Sequence, residues 1–423
     1  MELLKYWKEK NNVDALLYDH LRYVLDAHIY HYGNHFKYSL ENESRTSFSK
    51  KNIAKDLYIR YKYYTQKRLS QKSKVLSNAY FNFNTKLEEL DFYVAAPPWA
   101  VKRIDKKIFG NIAFYNHSQK INKLLKNDNF INLTSKRFLD EVLAFKKNFA
   151  GIVADQNIKA LFVPNDVNFF ENISIDIFKK LKRPSFTFLH GLPARYNSID
   201  EKRTDYLLVW GDKIKQHYID KGFSEDRIFV TGHPAYPSPS IKDLKFDLSN
   251  VLVLAKVGVG SPHSEDFNLY SRGSLIIYLL MIQNTLTKIG VKKVRLRVHP
   301  SANLAWFYQF IDKNFFEEDN LPLNQSLNQS SLVIGPSSSV LLEALFYGIN
   351  YVVFEPEENG NDILNSKLVP PFDGSLKEVP VAKNEEDLEE ILRNKIKVNK
   401  EILKEYYNPF NIDFLKELIN SIK

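Results

Sequence analysis

Between Val294 and Pro356 the chain repeats one local pattern: a strand-length apolar run, then a turn of small or imide residues, then a polar or helical stretch. The runs are Val294–Val298, Leu332–Ile334 and Tyr351–Phe354. Apolar runs this short, bounded by turn formers, read as buried strands. His299-Pro300-Ser301 follows the first run, and Gly335-Pro336-Ser337-Ser338-Ser339 follows the second. Val340–Tyr347 has helical composition and closes at Gly348, in the place of a C′ glycine. Strand, hydroxyl-rich turn and helix N-terminus in that order aim backbone N–H groups, a helix dipole and serine hydroxyls at one point. Such a turn is a seat for phosphate. A neighbouring strand is expected to bring His299 to the same edge of a parallel sheet, where open α/β sheets bind ligands. Either element alone reads as a capped helix or an ordinary turn; both together at strand C-termini favour a ligand site.

The same alternation runs through most of the chain. DFYVAAPPWAVKR reads as a strand broken at Pro97-Pro98, GNIAFYNHSQKINKLL as a strand and a helix start, and IKALFVPNDVNFF as a strand ending in Pro164-Asn165-Asp166. A strand at Ser185–Leu189 ends in His190-Gly191, and TDYLLVWGDKIKQHYIDKGFSEDRIFVTGHP gives strand, helix and strand up to His233-Pro234. After a polar linker, SPSIKDLKFDLSN, a second series opens at NVLVLAKVGVGS, its strand ending at Lys256 before Gly258 and Gly260. Strands alternating with helices mean βαβ units and parallel sheets. At 423 residues the chain is too long for one core. The reading is therefore α/β: two Rossmann-like doubly wound domains with a cleft between them and a helical N-terminal extension. The expected boundaries are 1–90 for a helical basic-aromatic part of the first domain and 91–240 for the first Rossmann-like domain. Residues 249–394 form the second, nucleotide-binding domain, and 395–423 a C-terminal helix that crosses back.

Composition narrows the function. The absence of cysteine excludes disulfides, thiolate zinc sites and cysteine nucleophiles. No apolar run approaches the roughly 20 residues needed to span a bilayer, and the N-terminal MELLKYWKEKNN lacks an apolar signal core. A cytoplasmic protein is expected. The net charge of +9 suits an anionic partner, but no nucleic-acid-binding signature accompanies it, so nucleic acid is not expected. Lys50–Lys74 combines Lys and Arg with Tyr58, Tyr61, Tyr63 and Tyr64. Such a helix either lies on the cytoplasmic face of an anionic membrane or packs on its own domain by its tyrosines, and the residues lean to the second. His28, His31 and His35 sit near helical spacing, but Gly33 interrupts them and no carboxylates accompany them, so they do not read as a metal site.

In the second domain Ser337, Ser338 and Ser339 would donate to a phosphate from hydroxyl and backbone. His299 with Pro300 and Ser301 would neutralise the leaving phosphate, through a charge or one N–H. Lys256 with the Gly258/Gly260 turn offers a second contact. Glu343, one turn into the helix, either caps it or accepts from a ribose hydroxyl. In the first domain His190 suits general-base work, with Asp166 the competing base or the group that orients it. Arg297 alternates with Arg295 and is read as solvent-facing. His233 is expected near the cleft in a structural role. With no Asp-x-Asp anywhere, no metal is expected; the helix dipole and basic residues would hold the donor phosphate.

With these motifs the chain resembles bacterial GT-B transferases that build surface polysaccharides. His299-Pro300 and Ser337-Ser338 look like the HP and serine motifs of bacterial sialyltransferases and polysialyltransferases, in which both contact the phosphate of CMP-sialic acid. Capsule transferases using CMP-Kdo look similar. FLHGLPARY (Phe188–Tyr196), followed by VHPS and PSSSVLLEA, is similar to CDP-glycerol glycerophosphotransferases, whose equivalent His-Gly carries a base that would be His190 here. The resemblance covers roughly residues 160–360. It departs from the sialyltransferases in lacking an acidic-acidic-Gly triplet, and from the glycerophosphotransferases in having Gly335-Pro336 where they tend to carry Asp-Tyr. What it implies is a metal-independent transfer of a CMP-activated sialic, pseudaminic or Kdo-type sugar to a growing surface glycan or lipid-linked glycan. A CDP-alditol phosphotransferase, a UDP-sugar 2-epimerase and a non-catalytic glycan-binding scaffold are the alternatives.

Overall fold

Strands sandwiched between helix layers are covered on both faces, and that explains why these runs are apolar without alternation. The computed structural model describes residues 9, 50–66, 74–79, 83–90, 92–102, 105–127, 130–133, 135–166, 168–189, 191–192, 203–234, 236, 243–255, 272–299, 304–358, 360–364 and 368–421. In the first domain β1 (Lys74–Ser77), β2 (Tyr93–Ala95), β3 (Ile158–Val163), β4 (Ser185–Phe188), β5 (Tyr206–Val209) and β6 (Ile228–Val230) form one sheet in the order β2-β1-β3-β4-β5-β6. Every pairing in it is parallel. The second domain repeats the plan with β7 (Val251–Ala255), β8 (Val294–Val298), β9 (Phe316–Glu318), β10 (Leu332–Gly335) and β11 (Tyr351–Phe354). A short ribbon of β12 (Glu357–Glu358) and β13 (Asn361–Asp362) follows, and β14 (Val381–Ala382) closes the sheet in the parallel order β14-β11-β10-β7-β8-β9. The chain is thus α/β with two doubly wound parallel sheets, the GT-B class of architecture.

In each sheet the strand order reverses once, between β1 and β3 and between β7 and β10. Those two points are the crevices where doubly wound sheets take ligands. This topology corrects one expectation. β7 lies between β8 and β10, so His299 and the serine turn are not on neighbouring strands but roughly 10 Å apart at about 4.8 Å per strand.

Two local readings also change. β1 falls inside the stretch taken as helical, because four residues are too few to show a period. The run after Gly110 is not a strand but the start of the Ile112–Asn127 helix. Gly110 takes a left-handed φ of 89°, and the Asn111 side chain then accepts from the Phe114 amide at 2.9 Å, capping a segment whose Ile and Tyr favour strands. The strand expected to end at Lys256 is described as far as Ala255, and Lys256 lies outside the described residues.

One apolar cluster joins Phe188 and Trp210 of the first domain to Leu341, Phe346 and Tyr407, so the domains share a core. The C-terminal segment binds them from outside. After the Ile402–Tyr406 helix the chain donates from the Asn408 amide to Trp210 O (2.7 Å) and from the Asn411 amide to Thr231 O (2.9 Å). Gly211 is required there: a Cβ would sit 2.4 Å from the Tyr406 carbonyl carbon.

Candidate functional site

The serine turn is built on a strand with no exposed residue. Gly335 ends β10 beneath the Tyr351 hydroxyl, which passes across it to donate to Pro336 O at 2.6 Å. A Cβ at Gly335 would lie 2.3 Å from that hydroxyl, so no side chain fits. The Val340–Phe346 helix follows and ends in a Schellman motif, with Gly348 at φ 71° and bonds from Gly348 to Leu345 O (3.0 Å) and Ile349 to Ala344 O (2.9 Å). Between these fixed ends the three serines divide their work. Ser337 is buried and its amide donates to the Glu355 carboxylate, itself fully buried at the end of β11. That amide serves the fold rather than a ligand, which corrects the expectation that all three serines donate from the backbone. Ser338 and Ser339 are partly exposed; the Val340 amide donates to Ser338 Oγ at 3.3 Å.

Ser339 faces the first domain. A Cβ built on Gly191 would lie 3.9 Å from Ser339 Oγ, so the turn leaving β4 meets the turn leaving β10. Both are strand C-terminal ends. His190 lies outside the described residues, between Leu189 and Gly191. Lys256, Gly258, Gly260, Pro300, Ser301 and the His28/His31/His35 group also lie outside them.

His299 follows β8 and borders a cavity of about 690 Å³ together with Arg297, Tyr308, Glu318 and Asn320. Desolvation holds its imidazole below the ordinary value, so at neutral pH it offers one N–H donor rather than a charge. Arg297 is not simply solvent-facing. It donates to Asp319 Oδ2 at 3.0 Å and Leu321 O at 2.6 Å, while Arg295 bonds Asn250 and Ser330 and lies 3.4 Å from Asp319 Oδ1. The carboxylate between the two guanidiniums is almost fully buried, and it fixes them both on one face of β8. Residues two apart on a strand share a face, and that was the available signal.

Glu343 is partly exposed and is engaged by the first domain. Burial raises its pKa against the Tyr236 hydroxyl, which donates to it. Tyr236 stacks on His233 at 4.1 Å and 18°. His233 is fully buried, and that burial lowers its pKa to about 3, so it is a neutral spacer between Tyr236 and Trp210. No pattern in the sequence marks the Tyr236–Glu343 pair, since its members are 107 positions apart (343 − 236).

Asp166 is fully buried at the end of β3. Its carboxylate accepts from the Arg203 amide at 2.8 Å and its carbonyl from the Arg203 side chain at 2.9 Å, so it ties the loop before β5 to the end of β3. Nearby, Asn78 donates to Glu171 at 2.6 Å, both buried. Among the described residues no three His, Asp or Glu side chains are grouped to hold a metal.

No protein-family model matches this chain, and no curated protein does. Solved structures similar to it include the UDP-GlcNAc 2-epimerase of Neisseria meningitidis bound to UDP-GlcNAc, at 13% identity and TM-score 0.47, covering 82% of this chain and 98% of that one. A glycosyltransferase of Rickettsia africae aligns at 12% identity and TM-score 0.47 over 84% and 99%. The wall teichoic acid polymerase TagF aligns at 13% and 0.41 over 91% and 98%. Likeness of this degree assigns no chemistry, and the fold class above is read from the two sheets themselves.

Proposed function

We propose that this protein is a glycosyltransferase that moves a nucleotide-activated sugar, a CMP-linked ulosonic acid of the sialic, pseudaminic or Kdo type, onto a hydroxyl of a surface glycan or lipid-linked glycan. One observation carries the reading: the C-terminal edges of two doubly wound sheets meet where Gly191 approaches Ser339. A donor phosphate seated at Ser338 and Ser339 would then lie beside the His190-Gly191 turn. In this reading His190 takes the proton of the acceptor hydroxyl while the acceptor oxygen bonds to the anomeric carbon. The bond from that carbon to the phosphate oxygen breaks, and CMP leaves with the electron pair. Ser338, Ser339 and the N–H of His299 stabilise the charge that develops on the departing phosphate. Base duty falls to His190 and not Asp166, because a carboxylate held at 2.8 Å by a backbone amide and fully buried has no path to an acceptor.

The test is to incubate the protein with CMP-sialic acid, CMP-Kdo, CDP-glycerol and UDP-GlcNAc, with and without a glycan acceptor, and to identify the nucleotide released. Acceptor-dependent CMP release from a CMP-sugar is expected. CMP release from CDP-glycerol would assign the same seat to an alditol phosphotransferase, and acceptor-free conversion of UDP-GlcNAc to an epimerase. If CMP, CDP and UDP all leave the melting temperature unmoved, the transferase reading is abandoned.

A further inference from the structure

The Lys50–Thr65 helix carries apolar residues on two faces, and its domain uses one. Ile59 is buried and Tyr58 and Tyr63 are partly buried against Ala96, Val101, Ile108 and Tyr115, with the Tyr63 hydroxyl donating to Phe109 O at 2.7 Å. The opposite face holds Ile53, Leu57, Tyr61 and Tyr64, exposed by 47, 60, 64 and 92%. Positions 53, 57, 61 and 64 follow the i, i+4, i+8, i+11 spacing of one helix stripe. The tyrosines that sequence reading treated as one set are thus divided. Half of them fix the helix, and half face outward. A contiguous apolar stripe of this kind on a surface marks a contact with something else.

We infer that this stripe seats the protein on an anionic lipid surface. Charge complementarity selects that occupant. Beyond the Arg60–Asp56 pair the helix sequence carries Lys50, Lys51, Lys55 and Lys62 and no further acid. Asp56 is already neutralised, paired to Arg60 at 2.7 Å and accepting from the Tyr115 hydroxyl at 2.7 Å. Tyrosine suits the headgroup level because its ring is apolar and its hydroxyl stays wet. At 16 residues the helix runs about 24 Å, enough to lie in the interface. Among the described residues no helix is long and apolar enough to cross a membrane. The helix rests on the loop that leaves β2 at its C-terminal end, the edge that also bears the His190-Gly191 turn. A lipid-linked acceptor would therefore arrive at that edge; this last step rests on the transferase reading, whereas the docking itself does not.

Sedimentation of the full chain with phosphatidylcholine vesicles, and with vesicles that also contain phosphatidylglycerol, tests the inference. Partitioning onto the anionic vesicles is expected to exceed that onto neutral ones by roughly tenfold and to weaken with salt. The triple variant Leu57→Glu, Tyr61→Glu, Tyr64→Glu is expected to lose that binding with its melting temperature unchanged, and Lys50→Glu with Lys55→Glu to lose part of it. Equal partitioning onto both vesicles, or none, overturns the proposal. A drop in melting temperature or a change in oligomeric mass in the triple variant overturns it too, since the stripe would then be covered by residues 1–49 or by a second copy.

Discussion

The two crevices of this molecule are alike in topology and opposite in content. Between β1 and β3 the chain fills its own crevice: Asp166 is locked onto Arg203, and Asn78 onto Glu171, all three of Asn78, Asp166 and Glu171 buried. Between β7 and β10 it leaves Ser338 and Ser339 partly exposed and supports them from below with Glu355 and Tyr351. The rule that ligands bind at a strand-order reversal names both places. Burial separates them: the first holds Asn78, Asp166 and Glu171 buried in bonds to its own chain, whereas the second leaves two serine side chains partly exposed.

Substitutions can break this contrast. The largest expected effect is at His190. His190→Ala should cut turnover by roughly 10²- to 10⁴-fold with the melting temperature unchanged, as judged by acceptor-dependent nucleotide release. Retained turnover in that variant would return the base to the first crevice.

Next is the acid limb of the stability curve. His233 has a folded-state pKa lowered to about 3 from an ordinary 6.5, so the unfolded chain binds a proton that the folded one refuses. The associated stability is fully present above about 6.5 and is lost as the pH falls toward 3, by at most about 1.4 kcal/mol per unit. His233→Phe should flatten the denaturant midpoint between pH 6.5 and 4; an unaltered slope would show that other groups set it.

Asp166→Ala should cost about 1–3 kcal/mol by stranding the Arg203 amide, while the folded fraction keeps its turnover. A collapse in turnover at constant stability would make the first crevice a working site. The smallest effect is expected in the second crevice. Ser338→Ala with Ser339→Ala should raise the apparent donor KM by roughly tenfold, about 1.4 kcal/mol, and leave the melting temperature alone. A stability loss instead would turn those serines into mere caps.

Several elements were legible in the residues because they report short-range physics. The strands Val294–Val298 and Tyr351–Phe354 have the predicted bounds, and the helix from Val340 closes at Gly348 as its composition implied. What failed did so for want of length or of a partner. β1 is too short to show a period, and the segment after Gly110 is decided by a capping side chain rather than by strand propensity. Arg297 looked solvent-exposed because its acid, Asp319, comes from a different strand end.

Alternation of apolar runs with turn formers determined, without further help, that this protein has two doubly wound parallel sheets, and it named the turns at their edges. Only the tertiary structure decided strand order, and with it that β7 separates His299 from the serines. It also decided which polar groups are engaged within the fold: the Ser337 amide by Glu355, Asp166 by Arg203, Glu343 by Tyr236. Strand formation depends on neighbours a few residues away, whereas hydrogen-bond satisfaction depends on groups brought together across the chain, and spacing along a sequence does not encode those meetings.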